Sequence, residues 1–98
     1  MSLPAIFLPV AEAEYRDAVD YYNGEVVGLG EDFCEEVIAA LRRITDFPEA
    51  WQKLSVRTRR CRLNRFPYGL VYRIQTDCIL VLAVMHLRRE PNYWEPRG

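Results

Sequence analysis

The run from Cys78 to Met85 places the strongest constraint on the fold, because all eight of its residues are apolar. A strand with one face in water alternates apolar and polar side chains, whereas a run that is apolar throughout is typical of a strand buried on both faces. Such a strand lies inside a sheet, and other elements cover at least part of each face. The chain has 98 residues, which suffice for one domain with one core. We therefore expect a single domain over residues 1–98.

Two amphipathic helices are predicted before this strand. From Val10 to Val26 the apolar residues recur at helical spacing, and acidic residues occupy the opposite side. A second helix is predicted from Gly30 to Asp46, with acidic residues in its first turns and Arg42-Arg43 near its end, as the helix dipole favours. Phe47-Pro48 ends this helix. The first helix also carries three tyrosines that we expect to pack in the core: Tyr15, Tyr21 and Tyr22.

The remaining segments have the periodicity of strands. Arg59 to Arg65 alternates between apolar and polar residues, and Tyr68 to Gln75 is rich in aromatic and β-branched residues. With Pro4–Leu8 as a short extended segment at the start and the apolar run at the end, the element order is β-α-α-β-β-β. We predict an α+β fold in which two antiparallel helices pack on one face of a small, mostly antiparallel sheet.

With both helices on one face, the opposite face of the sheet must be lined by other residues. Alternation along the first basic strand puts Cys61 and Leu63 on one face and Arg60 and Arg62 on the other. We expect the two arginines on the face without helices, and we add Arg73 from the next strand to them.

The charges of the chain are strongly separated along the sequence. Residues 1–52 carry three arginines against eleven acidic residues, a net charge of −8, whereas residues 53–98 carry ten lysines and arginines against three acidic residues, a net charge of +7. Arginine dominates the second half, and its planar guanidinium suits carboxylate and phosphate recognition. The basic half either presents a surface to an acidic partner or a phosphate backbone, or it only neutralises the acidic half within one fold.

The sequence contains no recognisable motif for a metal, a cofactor or a disulfide framework. The three cysteines, Cys34, Cys61 and Cys78, are odd in number and widely spaced among apolar residues, so we expect them to be reduced and buried. His86 is the only histidine and has no second ligand at metal-binding spacing. No apolar run approaches the roughly 20 residues that span a bilayer, and no secretory leader opens the chain. We expect a cytoplasmic protein without a cofactor, a metal or a membrane partner.

Three stretches of the chain occur in the order and spacing of a known protein family. They are Ala11–Tyr15 with Asp20–Tyr22; Phe47–Glu49 followed by the basic strand and Phe66–Tyr72; and Ala83–His86 followed by Arg88, Arg89, Pro91, Tyr93, Trp94 and Arg97. Together with the element order, these stretches resemble the ParE/RelE superfamily, the toxin half of bacterial toxin–antitoxin pairs, also called plasmid stabilisation proteins. The resemblance covers nearly the whole chain.

This resemblance implies one of two activities. ParE-like members act on DNA gyrase and trap it with cleaved DNA, whereas RelE-like members are metal-free endoribonucleases that cut messenger RNA on the ribosome. In both groups a small antitoxin wraps the toxin and neutralises it. The resemblance therefore implies a cognate antitoxin, encoded by an adjacent gene, as the partner. The implied target is DNA gyrase or, in the alternative, the ribosome and its messenger RNA.

The endoribonuclease alternative depends on four residues as catalytic groups: Arg60, Arg62, His86 and Tyr93. Metal-free RNA cleavage needs a base for the 2′-hydroxyl, cations for the charge that develops on the phosphate, and an acid for the leaving group. Two positions depart from the RelE-like pattern, because Gly69 and Leu87 stand where catalytic arginines are expected. Without these two arginines the transition state of RNA cleavage is less stabilised, so the sequence favours the ParE-like activity.

We therefore predict a ParE-like toxin that acts by binding, with the endoribonuclease and a degenerate, non-toxic family member as alternatives. The proline-rich tail from Glu90 to Arg97 is not expected to be helical, and one of its two aromatic residues, Tyr93 or Trp94, is expected to anchor it while the other meets a partner. The expected contacts with the antitoxin or the target are Arg60, Arg62, Arg65, Arg73, Arg88, Arg89, Trp94 and Arg97.

Overall fold

The predicted order of helices and strands is confirmed by the computed structural model, which describes residues 3–98. The elements are β1 (Ala5–Phe7), α1 (Pro9–Glu25), α2 (Leu29–Asp46), β2 (Gln52–Lys53), β3 (Thr58–Arg62), β4 (Tyr68–Ile74) and β5 (Ile79–His86). A C-terminal tail follows β5 and contains one 3₁₀ turn, Glu95–Arg97. The two-residue strand β2 was not predicted, because it is too short to show a periodic pattern.

The helices begin and end where local residue chemistry favours it. Pro9 is the first residue of α1, where a missing backbone N–H costs nothing because that position has no helical acceptor. Gly28 adopts φ 86°, a left-handed conformation that suits glycine, and this residue turns the chain into α2. Glu31 and Asp32 lie in the first turn of α2 and Arg43 in its last, as predicted from the helix dipole.

The two helices come closest at Gly30, in the first turn of α2. A Cβ atom at this position would lie 2.6 Å from the backbone oxygen of Val19 in α1. The backbone N–H of Gly30 also donates a hydrogen bond to Asn23 Oδ1 at 2.8 Å. The absence of a side chain at Gly30 therefore sets the distance between the helices.

Gly30→Ala is expected to lower the free energy of unfolding by about 2 kcal/mol, because the added methyl group overpacks the contact with Val19. Gly24→Ala is the matched control, since no atom lies within 4 Å of a Cβ there. We expect Gly24→Ala to stabilise the chain by about 0.5 kcal/mol through helix propensity. Urea denaturation of both variants measures the difference, and equal effects would contradict the close approach.

The five strands form one sheet in the order β1-β5-β4-β3-β2. Strand β1 pairs parallel with β5, and the other neighbours are antiparallel. The apolar strand β5 therefore lies between β1 and β4, which confirms its predicted place inside the sheet. The predicted class, two helices on one face of a mostly antiparallel sheet, is also confirmed.

A β-bulge interrupts the pairing of β4 with β5. Val71 pairs with Ala83 and Tyr72 pairs with Val81, so Leu82 has no partner in β4. Because β5 contains one extra residue here, the side chains beyond the bulge point to the face opposite to the one that strict alternation would give. Leu82 and its neighbour Ala83 therefore both contribute to the face opposite the helices.

The main core lies between the helices and the sheet. Its buried centre includes Phe33, Ile44, Leu70 and Tyr72, each less than 2% exposed. Tyr15 and Tyr22 pack against this core as predicted. Tyr21 does not, because it is 59% exposed, so the prediction of its burial was wrong. Tyr21 and Tyr22 are adjacent in α1 and therefore point in different directions, and only Tyr22 faces the core.

The C-terminal tail covers the second face of the sheet. A second buried cluster there joins Val71, Leu82, Ala83 and Met85 to Trp94 of the tail, which is 3% exposed. This cluster explains why β5 is apolar on both faces. The sequence placed only arginines on this face, and the structure corrects that expectation by adding the tail as a second layer.

The cysteines form no disulfide in the structure. Cys61 and Cys78 are buried as predicted, whereas Cys34 is only half-buried. Among the described residues, no helix has the length and apolar character needed to cross a membrane.

Candidate functional site

Arg60 and Arg62 lie side by side on the second face of the sheet. Alternation along β3 directs both side chains to this face, where they pair across the strands with Val71 and Gly69. This confirms the face that the sequence predicted for them. Neither arginine takes part in a salt bridge within residues 3–98, where the three salt bridges involve Arg16, Arg65 and Arg97.

Arg60 is held in place and partly removed from water. Its Nη2 donates a hydrogen bond to Gln52 Oε1 at 2.8 Å, and its Nε is buried without a hydrogen-bond partner. Burial lowers the pKa of the Arg60 guanidinium below its usual value, and the like charge of Arg62 lowers it further. The arrangement keeps two uncompensated positive charges next to each other.

Gly69 provides the space that Arg60 occupies. A Cβ atom at Gly69 would lie 2.9 Å from Cγ and 3.0 Å from Cδ of Arg60, so the aliphatic part of the arginine crosses the glycine. A RelE-like chain is expected to carry an arginine at position 69. Here the glycine leaves room for the side chain of Arg60 instead.

The other predicted contact arginines come from β4, from the segment after β5 and from the loop after β3. Arg73 is on the same face and donates from Nη1 to the backbone oxygen of Gly98 at 2.9 Å. Arg88 and Arg89 follow the end of β5 and are exposed. Arg65 lies apart from them, because its Nη2 is 3.6 Å from Asp32 Oδ2 of α2. We call Arg60, Arg62 and Arg73, which share the second face of the sheet, the arginine face.

A half-buried cluster, here called the tail clamp, fixes the C-terminal tail to α1 and β5. Glu14 of α1 accepts hydrogen bonds from Tyr93 Oη at 2.9 Å and from both Nη atoms of Arg97 at 2.9 and 3.1 Å. It also accepts one from the backbone N–H of Val84 at 3.1 Å, and Arg97 donates to the backbone oxygen of Leu82 at 3.1 Å. The tail clamp thus satisfies backbone groups on an edge of β5 that β1 does not cover.

Two of the residues predicted to contact a partner are instead in contact with the rest of the chain. Trp94 is in the second core and Arg97 is paired with Glu14, with side-chain exposures of 17% and 16% for that pair. As folded, neither residue offers a free surface to a partner. Both aromatic residues of the tail hold it to the body of the chain, Trp94 in the second cluster and Tyr93 through its hydrogen bond to Glu14. Tyr93 is half-buried against the second cluster.

Tyr93 is held in its protonated form. Burial and its hydrogen bond to Glu14 raise the pKa of Tyr93 to about 12, although Arg97 and Arg89 act in the opposite direction. The guanidinium carbon of Arg89 lies 4.1 Å from the centre of the Tyr93 ring. A phenol with this pKa is protonated at neutral pH and is a poor general base there.

The stability of the chain is expected to fall between about pH 10 and pH 12. Burial raises the pKa of Tyr15, Tyr72 and Tyr93 from 10.0 to about 12, so the folded state keeps protons that the unfolded state loses. The stabilisation is complete below pH 10 and disappears as the pH rises through 12. Urea denaturation across this range, with phenolate absorbance recorded in parallel, measures it; a midpoint independent of pH would contradict these shifts.

The four residues of the endoribonuclease alternative do not form one group. His86 pairs with Tyr68 across β4 and β5, and their rings are 5.0 Å apart on the helical face. Its Nδ1 accepts a hydrogen bond from the backbone N–H of Arg88 at 3.0 Å, which shapes the start of the tail. Arg60, Arg62 and Tyr93 lie on or against the opposite face of the sheet.

A groove of about 820 Å³ lies between the β2–β3 hairpin and the end of β4 with the turn that follows it. Val56 and Ile74 leave apolar surface exposed beside it, at 88% and 39%. The sequence did not indicate this groove, because one of its sides is formed at β2, a strand that was not predicted. The charged residues of the groove are Lys53, Arg57, Arg59, Arg73, Glu49 and Asp77.

Comparison with known proteins gives a family and a fold. A family model described as the ParE toxin of type II toxin–antitoxin system, parDE, matches residues 5–91. A chain in a solved structure, "Chromosomal ParDE TA system from P. aeruginosa", aligns with a TM-score of 0.76 and 12% identity over 89% of this chain and 98% of that one. No curated protein sequence matches. The structural likeness supports the fold, and the family match extends over most of the sequence, so the chain belongs to the ParE toxin family of type II toxin–antitoxin systems.

Proposed function

We propose that this chain is a toxin that a small antitoxin, encoded by an adjacent gene, binds and neutralises, and that the free toxin acts by binding DNA gyrase. Family membership supports the pairing with an antitoxin. The observation that carries a binding role is the arginine face, where Arg60 and Arg62 have no acidic partner in residues 3–98. A positive surface of this kind is complementary to an acidic partner segment and accelerates its association.

Two observations support action by binding over catalysis. His86 and the Arg60–Arg62 pair lie on opposite faces of the sheet, so a single bound nucleotide does not contact all of them. Tyr93 donates its hydroxyl hydrogen to Glu14 and is fixed within the tail clamp. General acid–base catalysis requires its groups within hydrogen-bond reach of the reacting atoms.

The first experiment tests the antitoxin. The chain is expressed with and without the protein encoded by the adjacent gene, and the affinity of the purified pair is measured by calorimetry. We expect growth arrest with the chain alone, normal growth with both proteins, and an affinity that weakens with added salt. Normal growth with the chain alone, despite soluble folded protein, would favour the degenerate family member.

The second experiment separates gyrase binding from RNA cleavage. His86→Ala and Tyr93→Phe are the suitable variants, because Tyr93→Phe removes the hydroxyl while keeping the ring against the second cluster. If the chain acts on gyrase, both variants retain toxicity. Loss of toxicity in both variants, with unchanged unfolding midpoints and antitoxin affinity, would support the endoribonuclease instead.

A further inference from the structure

The charge of Arg60 is not compensated within the folded chain. Its Nε is buried without a hydrogen-bond partner, and the like charge of Arg62 lies beside it. A buried N–H without an acceptor is unfavourable, although the rest of the Arg60 guanidinium is only partly removed from water. An apolar side chain of similar shape at this position would not carry this unpaired N–H.

Neighbouring residues nevertheless specify the position of Arg60. Gly69 leaves the space for its aliphatic part, and Gln52 of β2 accepts a hydrogen bond from Nη2 at 2.8 Å. The pairing of β3 with β4 fixes Arg62 on the same face. An arginine that only lies on a solvent-exposed surface needs neither the space at Gly69 nor the hydrogen bond to Gln52. Nη1 of Arg60 makes no hydrogen bond within the described part of the chain, and Arg62 is exposed.

We infer that Arg60 and Arg62 form a two-arginine subsite that binds one carboxylate, an aspartate or glutamate side chain of the antitoxin. This inference rests on the proposed function and identifies the chemistry of one contact within it. Two neighbouring guanidinium groups suit a single carboxylate, which accepts charge-assisted hydrogen bonds from both. The bound anion supplies the charge that the folded chain lacks.

A carboxylate fits this subsite better than the phosphates of a nucleic acid. A nucleic-acid backbone presents a continuous row of charges and favours a strongly basic domain. This chain has a sequence pI of about 5.8, and its first 52 residues carry a net charge of −8. A chain with a net charge of −1 attracts a long polyanion only weakly, whereas one carboxylate needs only the local pair.

Arg60→Met separates binding from folding. Methionine keeps an unbranched side chain over Gly69 and removes the charge. We expect the unfolding midpoint of the free chain to stay equal or rise, while the affinity for the antitoxin from the adjacent gene falls about tenfold or more. Arg62→Gln, at an exposed position, is expected to weaken binding without any change in folding. Arg42→Met, at an exposed arginine on α2, is the matched control and should change neither property.

A double-mutant cycle identifies the carboxylate. Each aspartate and glutamate of the antitoxin is changed to its amide, and affinities are measured against wild type and Arg60→Met. We expect one change that weakens binding to wild type and has no further effect on Arg60→Met.

The outcomes separate the subsite from the proposed function. If the antitoxin does not bind the wild-type chain, the proposed function is overturned and the subsite with it. If the antitoxin binds wild type, Arg60→Met and Arg62→Gln equally, the subsite alone is overturned. Wild-type binding to a short single-stranded RNA that Arg60→Met abolishes, with antitoxin affinity unchanged, would assign the two arginines to phosphate and contradict the inference.

Discussion

Glu14→Ala is expected to lower the free energy of unfolding by about 3 kcal/mol, as breaking one partner of a largely buried ion pair does. Glu14 accepts four hydrogen bonds, from Tyr93, from both Nη atoms of Arg97 and from the backbone of Val84. Alanine leaves Arg97, only 17% exposed, without its counter-ion, and leaves the Val84 N–H without an acceptor. Urea denaturation followed by circular dichroism measures the effect.

Glu12→Ala provides the control for this prediction. Glu12 also pairs with an arginine, Arg16, at 2.7 Å, but both side chains are at least half exposed. An exposed pair of this kind contributes less than about 0.5 kcal/mol. A stability loss for Glu14→Ala as small as that for Glu12→Ala would show that the tail clamp contributes little.

Trp94→Ala is expected to destabilise the chain by about 3–5 kcal/mol, the usual range for removing a large aromatic residue from a core. Trp94 is 3% exposed and closes the cluster formed by Leu82, Ala83 and Met85. Its loss leaves a cavity and exposes the second face of β5. Trp94→Phe retains part of the packing and is expected to cost less than half as much. Thermal and urea unfolding of both variants check the order.

The effects of Glu14→Ala and Trp94→Ala are expected not to add. Both residues hold the same tail, so once one substitution releases it, the second removes contacts that are already lost. The double variant should therefore be less destabilised than the sum of the single variants. Full additivity would contradict the picture of a tail attached by both residues together.

Residue patterns predicted the layers of this fold but not the element that covers the second face. The apolar run in β5 showed that both of its faces are buried, and the alternation in β3 showed which face carries Arg60 and Arg62. The tail has no periodic pattern and contains Pro91 and Pro96, so nothing local indicated that it lies over the sheet. The tail covers this face through Trp94, a residue for which the sequence left open a contact with a partner.

The tail clamp was not predictable for a related reason. Glu14 lies on the acidic side of an amphipathic helix, where a carboxylate is ordinarily in water. Its partners Val84 and Arg97 are 70 and 83 residues away in sequence, and the bulge at Leu82 determines which backbone groups of β5 face it. Neither the bulge nor the path of the tail can be inferred from the periodicity of the sequence. The same holds for Gly69, whose contact with Arg60 depends on cross-strand register.

Tightly induced expression in a bacterium that carries a DNA-damage-response reporter distinguishes DNA gyrase from RNA as the target. If the chain acts on gyrase, we expect growth arrest with the reporter switched on, and relief of both by the protein encoded by the adjacent gene. Growth arrest with the reporter silent, abolished by His86→Ala in a chain that still folds and still binds that protein, would contradict gyrase as the target and assign the toxicity to RNA cleavage.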